Sequence, residues 1–178
     1  MNMKDGGSID HAFLATVTEG LSQAQWPVVY RCIADLYAHE VGYRLMTISA
    51  IDIQATAPVR RLWSSNDAVF PVGGRKPLGT QAWRRTVLDE LSVMVCDGEA
   101  ELAGAFDDHT MLRDLGCASG INVPIVVARR VVGSVNLFNE RGWYTPPRVE
   151  RAKQLSAWVY APLLASCHVR EEASGDRA

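Results

Sequence analysis

Four small polar residues stand inside two apolar runs. They are Ser119, Asn122, Ser134 and Asn136, in the segment GCASGINVPIVVARRVVGSVNLFNE over 116–140. A sheet interior that keeps such groups must give them hydrogen-bond partners, and a bound ligand is one kind of partner. Side chains alternate along a strand. Ser134, Asn136 and Phe138 therefore point together, with Gly120 and Asn122 beside them, if Val135 and Leu137 face the other way. The chemistry on offer is recognition: amides and hydroxyls that orient a small molecule. The plain alternative is that they bond the backbone of a covering loop. Ser119 lies at a strand entrance, where a turn or cap bond accounts for it.

Other residue types suggest other chemistry. Cys96 and Cys117 could form a redox pair at the rim of such a site, provided an electropositive setting lowers a thiol pKa. Arg113 and His109 are near Cys117 in sequence. Against this, free cysteine is among the most buried residue types and packs as a small hydrophobe. Asp107, Asp108, His109 and Arg113 cluster at a helix start. A carboxylate–histidine pair can move a proton or hold a metal. Aspartate at a helix start more often caps it, and one histidine falls short of the three or four converging ligands of a metal site. No metal is expected. Trp63, Trp83 and Phe106 could line an apolar pocket and stack on a planar ligand, or simply fill the core. Arg84 and Arg85 could meet an anionic ligand or form a solvated helix face. Cys167 and His168 read as structural or exposed.

The elements that must position these residues follow from periodicity. Phe13, Leu14, Val17 and Leu21 predict a helix over 12–22, capped by Ser8 or Asp10. Pro27 opens a second helix to Val41. A strand over 43–53 places Leu45, Thr47, Ser49, Ile51 and Ile53 on one face and Met46, Ile48 and Ala50 on the other, with both faces mostly covered. Residues 59–64 form the second arm of an antiparallel hairpin. After a loop over 65–76, Thr80 caps a helix over 81–89. A short strand follows over 91–96, then an irregular or helical stretch. A helix started by Asp107 or Asp108 runs to Leu115. The hairpin strands are 120–127 and 131–139, around a turn at 128–130. The last helix starts at Thr145-Pro146-Pro147, runs to about Val169, and is kinked by Pro162. The order α–α–β–β–α–β–α–β–β–α predicts an α+β domain on an antiparallel sheet. Terminal helices cover one face. Short helices and loops cover the other, and such covers leave clefts.

Composition bounds the function. The chain has 178 residues, 48% apolar, with a formal net charge of −2. One domain with a real core is expected, and nucleic-acid binding is disfavoured. The four cysteines are scattered without a CxxC motif, as suits reduced thiols of a cytoplasmic protein. Neither a signal peptide nor a membrane span is expected.

Four segments together resemble a GAF domain: GCASGINVPI at 116–125, RRVVGSVNLFN at 129–139, WYTPPRVERAKQLSAWVYAPL at 143–163 and PLGTQAWRRT at 77–86. The resemblance covers about residues 10 to 170. It implies a GAF/PAS-like sheet of five or six strands, a ligand site under the covering helices, and homodimerisation through the terminal helices. The patterns of particular subtypes are missing. The Asn-Lys-x-Phe-x-Asp-Glu signature of cyclic-nucleotide binders is absent. The helix bearing His109 has no cysteine for a thioether-linked bilin, and Cys117 lies beyond its end. His109 could serve as a haem ligand, without other support. Cys96 and Cys117 lie in a region comparable to the thiols of free methionine sulfoxide reductase, without that subtype's surrounding residues.

The expectation is thus a disordered segment over 1–8, a GAF-like domain over 9–170 and a disordered tail over 171–178. The domain would bind an unidentified small organic ligand, with Trp63, Trp83, Phe106, His109, Asn122, Ser134 and Asn136 around it. As a sensory or regulatory module it would act through dimerisation or a partner output protein. A thiol-dependent oxidoreductase using Cys96 and Cys117 is one alternative. An interaction scaffold whose pocket is filled by Trp63, Trp83 and Phe106 is the other.

Overall fold

A computed structural model describes residues 11–166. The expectations for both termini, for the Ser8 or Asp10 cap, and for Cys167 and His168 lie outside the described residues. Helices α1 (His11–Ser22) and α2 (Trp26–Glu40) lead into strands β1 (Leu45–Ile51) and β2 (Val59–Ser64) and a two-residue strand β3 (Arg75–Lys76). Next come α3 (Gln81–Trp83), β4 (Met94–Asp97), α4 (Glu99–Ala105), α5 (His109–Asp114), β5 (Ser119–Val127), β6 (Arg130–Asn139) and α6 (Pro146–Leu155). The six strands form one sheet in the order β3-β2-β1-β6-β5-β4, with every neighbouring pair antiparallel. The expected α+β architecture is what forms.

Local chemistry accounts for the main boundaries. Pro27 sits in the first turn of α2, where a missing N–H costs nothing. Thr80 Oγ1 accepts a hydrogen bond from the Trp83 backbone N–H and starts α3. The helix after Trp83 is not plain α-helix: Arg84–Asp89 is a π-helical turn. The β5–β6 hairpin turns on two residues, Ala128 and Arg129, both at positive φ (48° and 61°). That is the sign pattern of the turn whose twist matches flanking strands. The last helix tightens to a 3-10 segment over Ser156–Val159. Pro162 cannot donate to the Trp158 carbonyl and crowds it, so the break falls just ahead of the proline. Three sequence expectations change. Residues 75–76 pair as a strand rather than a loop. Thr145 stands at the start of α6 without a side-chain cap bond. Asp108 occupies the N-cap position of α5 without a side-chain cap bond, and instead holds Lys76 at 2.9 Å.

Two hydrophobic clusters lie on opposite faces of the sheet. On one face Met46, Ile48, Ala50, Ile121, Val123, Val135 and Leu137 pack against α1, α2, α6 and the segment that follows. On the other, Leu45, Ile51, Val59, Cys96 and Phe138 pack under Phe70, Trp83, Val87, Leu102, Phe106 and Leu112. All seven residues of β1 are buried, as expected for a strand covered on both sides.

The helix-side packing depends on Gly133. A Cβ there would lie 2.2 Å from Leu163 Cδ1 and 2.6 Å from the Ser49 carbonyl oxygen. The leucine tip can swing; the β1 backbone cannot. Gly133→Ala should therefore lower the unfolding free energy by about 1–3 kcal/mol. Urea denaturation measures this, and unchanged stability would mean that β1 and β6 can separate at no cost.

Candidate functional site

The cover-side face of the sheet is built in cross-strand rows. The outer row is apolar: Leu45, Phe138, Gly120 and Cys96 stand opposite one another on β1, β6, β5 and β4. The next row is Thr47, Asn136, Asn122 and Met94. The third is Arg61, Ser49, Ser134 and Pro124, from β2 across to β5. Two adjacent rows in the middle of a buried sheet are thus polar. Asn122 Nδ2 donates to Asn136 Oδ1, and Asn136 Nδ2 donates to Thr47 Oγ1 at 3.0 Å. Asn122 is 2% exposed, and its Oδ1 has no partner among the described residues.

These rows floor a cavity of about 30 Å3, roofed by Trp83, Ala105, Phe106 and Phe70. Phe106 meets Phe138 edge-on at 5.1 Å between ring centres. The cavity continues outward into a groove of about 250 Å3 that shares Ser49, Val59, Arg61, Phe70, Lys76 and Asp108 with it. Arg61 stands at the junction. Its Nη1 donates to the Pro71 carbonyl at 3.1 Å, its guanidinium lies 5.1 Å from the Phe70 ring centre, and its buried Nε has no partner. Burial pulls the Arg61 pKa down, against the opposing pull of Asp108 and Asp67. Lys76, opposite Val59 in register, is held by Asp108.

The structure brings together five of the seven predicted ligand residues: Trp83, Phe106, Asn122, Ser134 and Asn136 all line the cavity. Trp63 does not. The β1–β2 register slips between Ile48 and Ser49, leaving Leu62 unpaired and placing Trp63 opposite Ile48. A bulge re-aims the side chains beyond it, and Trp63 packs in the helix-side core. His109 does not line the cavity either. Its Nδ1 lies 3.1 Å from the Phe106 carbonyl oxygen, and it borders a separate groove with Arg113 and Cys117. Cys96 and Cys117 are each 1% exposed, and neither lines the cavity. Arg84 bonds the Gly79 carbonyl and Arg85 pairs with Glu90, both on the surface. Ser119 bonds the Glu140 carbonyl, the local satisfaction anticipated for a strand entrance.

Sequence reasoning passed over Thr47, Ser49, Phe70, Arg61 and Lys76 as site residues. Thr47 and Ser49 carried the same signal as Ser134 and Asn136, polar residues alternating with apolar ones in a doubly covered strand. Nothing local marked Arg61 or Lys76. Among the described residues no group of three or more His, Cys, Asp or Glu side chains could hold a metal ion. A larger open groove of about 670 Å3 lies on the other face between Val95 of β4 and Lys153 of α6. Its wall mixes apolar residues such as Val95, Val123 and Val149 with Ser92, Glu150, Lys153 and Ser156, and its one buried unpartnered polar atom among the described residues is the Tyr144 hydroxyl.

No protein-family model and no curated protein matches the sequence. Solved structures do match. A GAF domain of a two-component sensor histidine kinase from Bacillus halodurans aligns with TM-score 0.62 at 12% identity, over 78% of this chain and 92% of that one. A GAF domain/HD domain protein from Geobacter sulfurreducens gives 0.61 at 15%, over 79% and 92%. The phycoerythrobilin-bound GAF domain of a cyanobacterial phytochrome gives 0.60 at 14%, over 90% and 96%. Identities this low speak to architecture alone, and the architecture is unambiguous: the chain has the GAF-domain fold.

Proposed function

We propose that this chain is a small-molecule-binding sensory or regulatory domain. The observation that carries the proposal is the buried amide row: Asn122 Oδ1 faces no protein partner beside a cavity whose floor is polar and whose roof is aromatic. A buried acceptor left unpaired costs about 1–3 kcal/mol, and a ligand donor removes that cost. The fold is one that solved neighbours use in a sensor histidine kinase and a phytochrome. The cavity here is far smaller than the roughly 300–1,000 Å3 of pockets for drug-sized ligands, so the ligand is small or the cover moves to admit it. Binding that favours one arrangement of the cover is a population shift.

Output through the terminal helices has a physical route. Ser134 lines the cavity, and the adjacent Gly133 touches Leu163 on the opposite face. Leu14 of α1 and Val28 of α2 remain 43% and 44% exposed, apolar surface available to a second copy or an output protein. Among the described residues no helix is long and apolar enough to cross a membrane.

A scaffold without a ligand is the competing account, favoured by the burial of Trp83 and Phe106 and by a cavity little larger than one water. The variant Thr47→Val/Asn122→Leu/Asn136→Leu separates the two. If the row serves a ligand, replacing all its polar partners leaves the unfolding free energy within about 1 kcal/mol or raises it. The small molecule seen by native mass spectrometry of freshly purified wild-type protein then disappears. A variant several kcal/mol less stable, from a wild type that carries no bound molecule, makes the row structural.

The thiol-dependent oxidoreductase loses support. Burial raises the Cys96 pKa to about 11, reinforced by Glu101. Burial also raises Cys117, against the opposing pull of Arg44. Both thiols stay protonated near neutral pH, the unreactive form. Peptide-resolved iodoacetamide labelling at pH 8 should leave Cys96 and Cys117 unmodified until denaturant is added; labelling of Cys96 in native protein at the rate of a free thiol would restore the redox account. The raised Cys96 value also carries a pH sign. The native thiol resists ionisation while the unfolded one ionises, so stability present below about pH 9 declines as pH rises toward 11.

A further inference from the structure

We propose that the ligand of this site is a small organic carboxylate with an apolar body, its carboxylate held by Arg61; this rests on the reading of the cavity as a ligand site. An arginine side chain has two hydrogen-bonding edges of interest. Nη1 of Arg61 is engaged by the Pro71 carbonyl at 3.1 Å. The edge made by Nε and Nη2 makes no hydrogen bond to any described residue, and Nε is fully buried. Arg61 forms no ion pair among the described residues: Asp108 and Asp67 act on its charge without touching it, Asp108 being held by Lys76 at 2.9 Å and Asp67 accepting from the Val72 backbone N–H. A half-buried guanidinium whose contacts are one carbonyl and an aromatic ring is a cation with no carboxylate in direct contact. The Nε/Nη2 edge offers two parallel N–H donors, the spacing that a planar carboxylate accepts in bidentate fashion.

The surroundings hold Arg61 in this pose. Ser49 lies opposite it across β1. Phe70 stacks beside it, and a Cβ at Gly74 would come within 3.2 Å of Nη1 and 2.9 Å of the Pro71 oxygen. Gly74 is thus the residue that permits the Arg61–Pro71 bond. The rest of the site sets the ligand's body. Phe70, Trp83, Phe106 and Phe138 supply apolar walls once the cover moves to admit a body larger than the closed cavity of about 30 Å3. Asn122 Oδ1, from a strand three places away or roughly 14 Å between backbones, accepts a donor at the far end. Asp107 also lines the cavity but is solvent-exposed, so its charge is screened. Phosphate is the poorer match: beside Arg61 the lining offers the hydroxyls of Thr47, Ser49 and Ser134, the amides of Asn122 and Asn136, and a lysine already paired with Asp108.

The test compares three probes of one shape, benzoate, benzamide and benzylamine, by isothermal titration calorimetry on the whole chain, with inorganic phosphate as competitor. Benzoate should bind, benzamide and benzylamine should bind at least about tenfold more weakly, and phosphate should not displace benzoate. Arg61→Gln should weaken benzoate about 10- to 100-fold. Arg61→Lys should fail to restore it, because a point charge lacks the fork. The wild-type ranking stands alone should a variant misfold. Equal binding of benzamide and benzoate, or full benzoate affinity in Arg61→Gln, overturns the carboxylate assignment. So does displacement by phosphate. In the first case, loss of benzamide binding in Asn122→Leu shows that the cavity still takes ligands and that only the class was wrong. Binding of none of the three probes sinks the assignment and the cavity reading together.

Discussion

The structure depends on a sheet whose middle strands are covered on both faces. β1 and β6 sit at its centre and have no solvent-facing side over most of their length. Every side chain there must be apolar or find a partner inside. On the helix side the first solution is used throughout, with Met46, Ile48, Val135 and Leu137 in continuous apolar contact. On the cover side the same strands present Thr47, Ser49, Ser134 and Asn136. Core stability alone would favour valine or leucine at these places, since an apolar replacement removes the desolvation penalty of the amides. The two faces therefore differ in kind: one is apolar throughout its core, and the other keeps buried polar groups at a cost.

That asymmetry was legible because it is written in a period of two. The faces of β1, the identity of the hairpin strands and the polar set Asn122, Ser134 and Asn136 follow from alternation and burial, and the structure has them as read. Trp63 shows where alternation fails. Arg61 and Trp63 are two apart in β2 and should share a face, but the unpaired Leu62 intervenes. The bulge sends Trp63 to the helix-side core and leaves Arg61 beside the cavity. Nothing in VRRLWS signals a bulge, because its cause is the fit of β2 against β1, which is a property of the pair. His109 fails for a different reason. Its helix is only six residues long, and the direction of a short helix is decided by what it packs on rather than by its own pattern. The π-helical turn after Trp83 likewise belongs to the packed cover, not to the sequence RRTVLD.

The two faces are not mechanically independent. In a strand, neighbouring residues point to opposite sides, so a shift of Ser134 toward a ligand moves Gly133, and Gly133 lies under Leu163 with no side chain to cushion it. The contact lies in the α-helical stretch over 160–166, beyond the 3-10 segment Ser156–Val159 that interrupts the last helix. Packed interiors transmit such displacements because they have little free volume to absorb them. The helix segment beyond that interruption is thus the one that rests on β6. Pro162 accounts for the break at 156–159, and the close approach of the Ser49 carbonyl and Leu163 accounts for the glycine at 133. Together they make the centre of the sheet the place where a displacement on one face can reach the helix packed on the other.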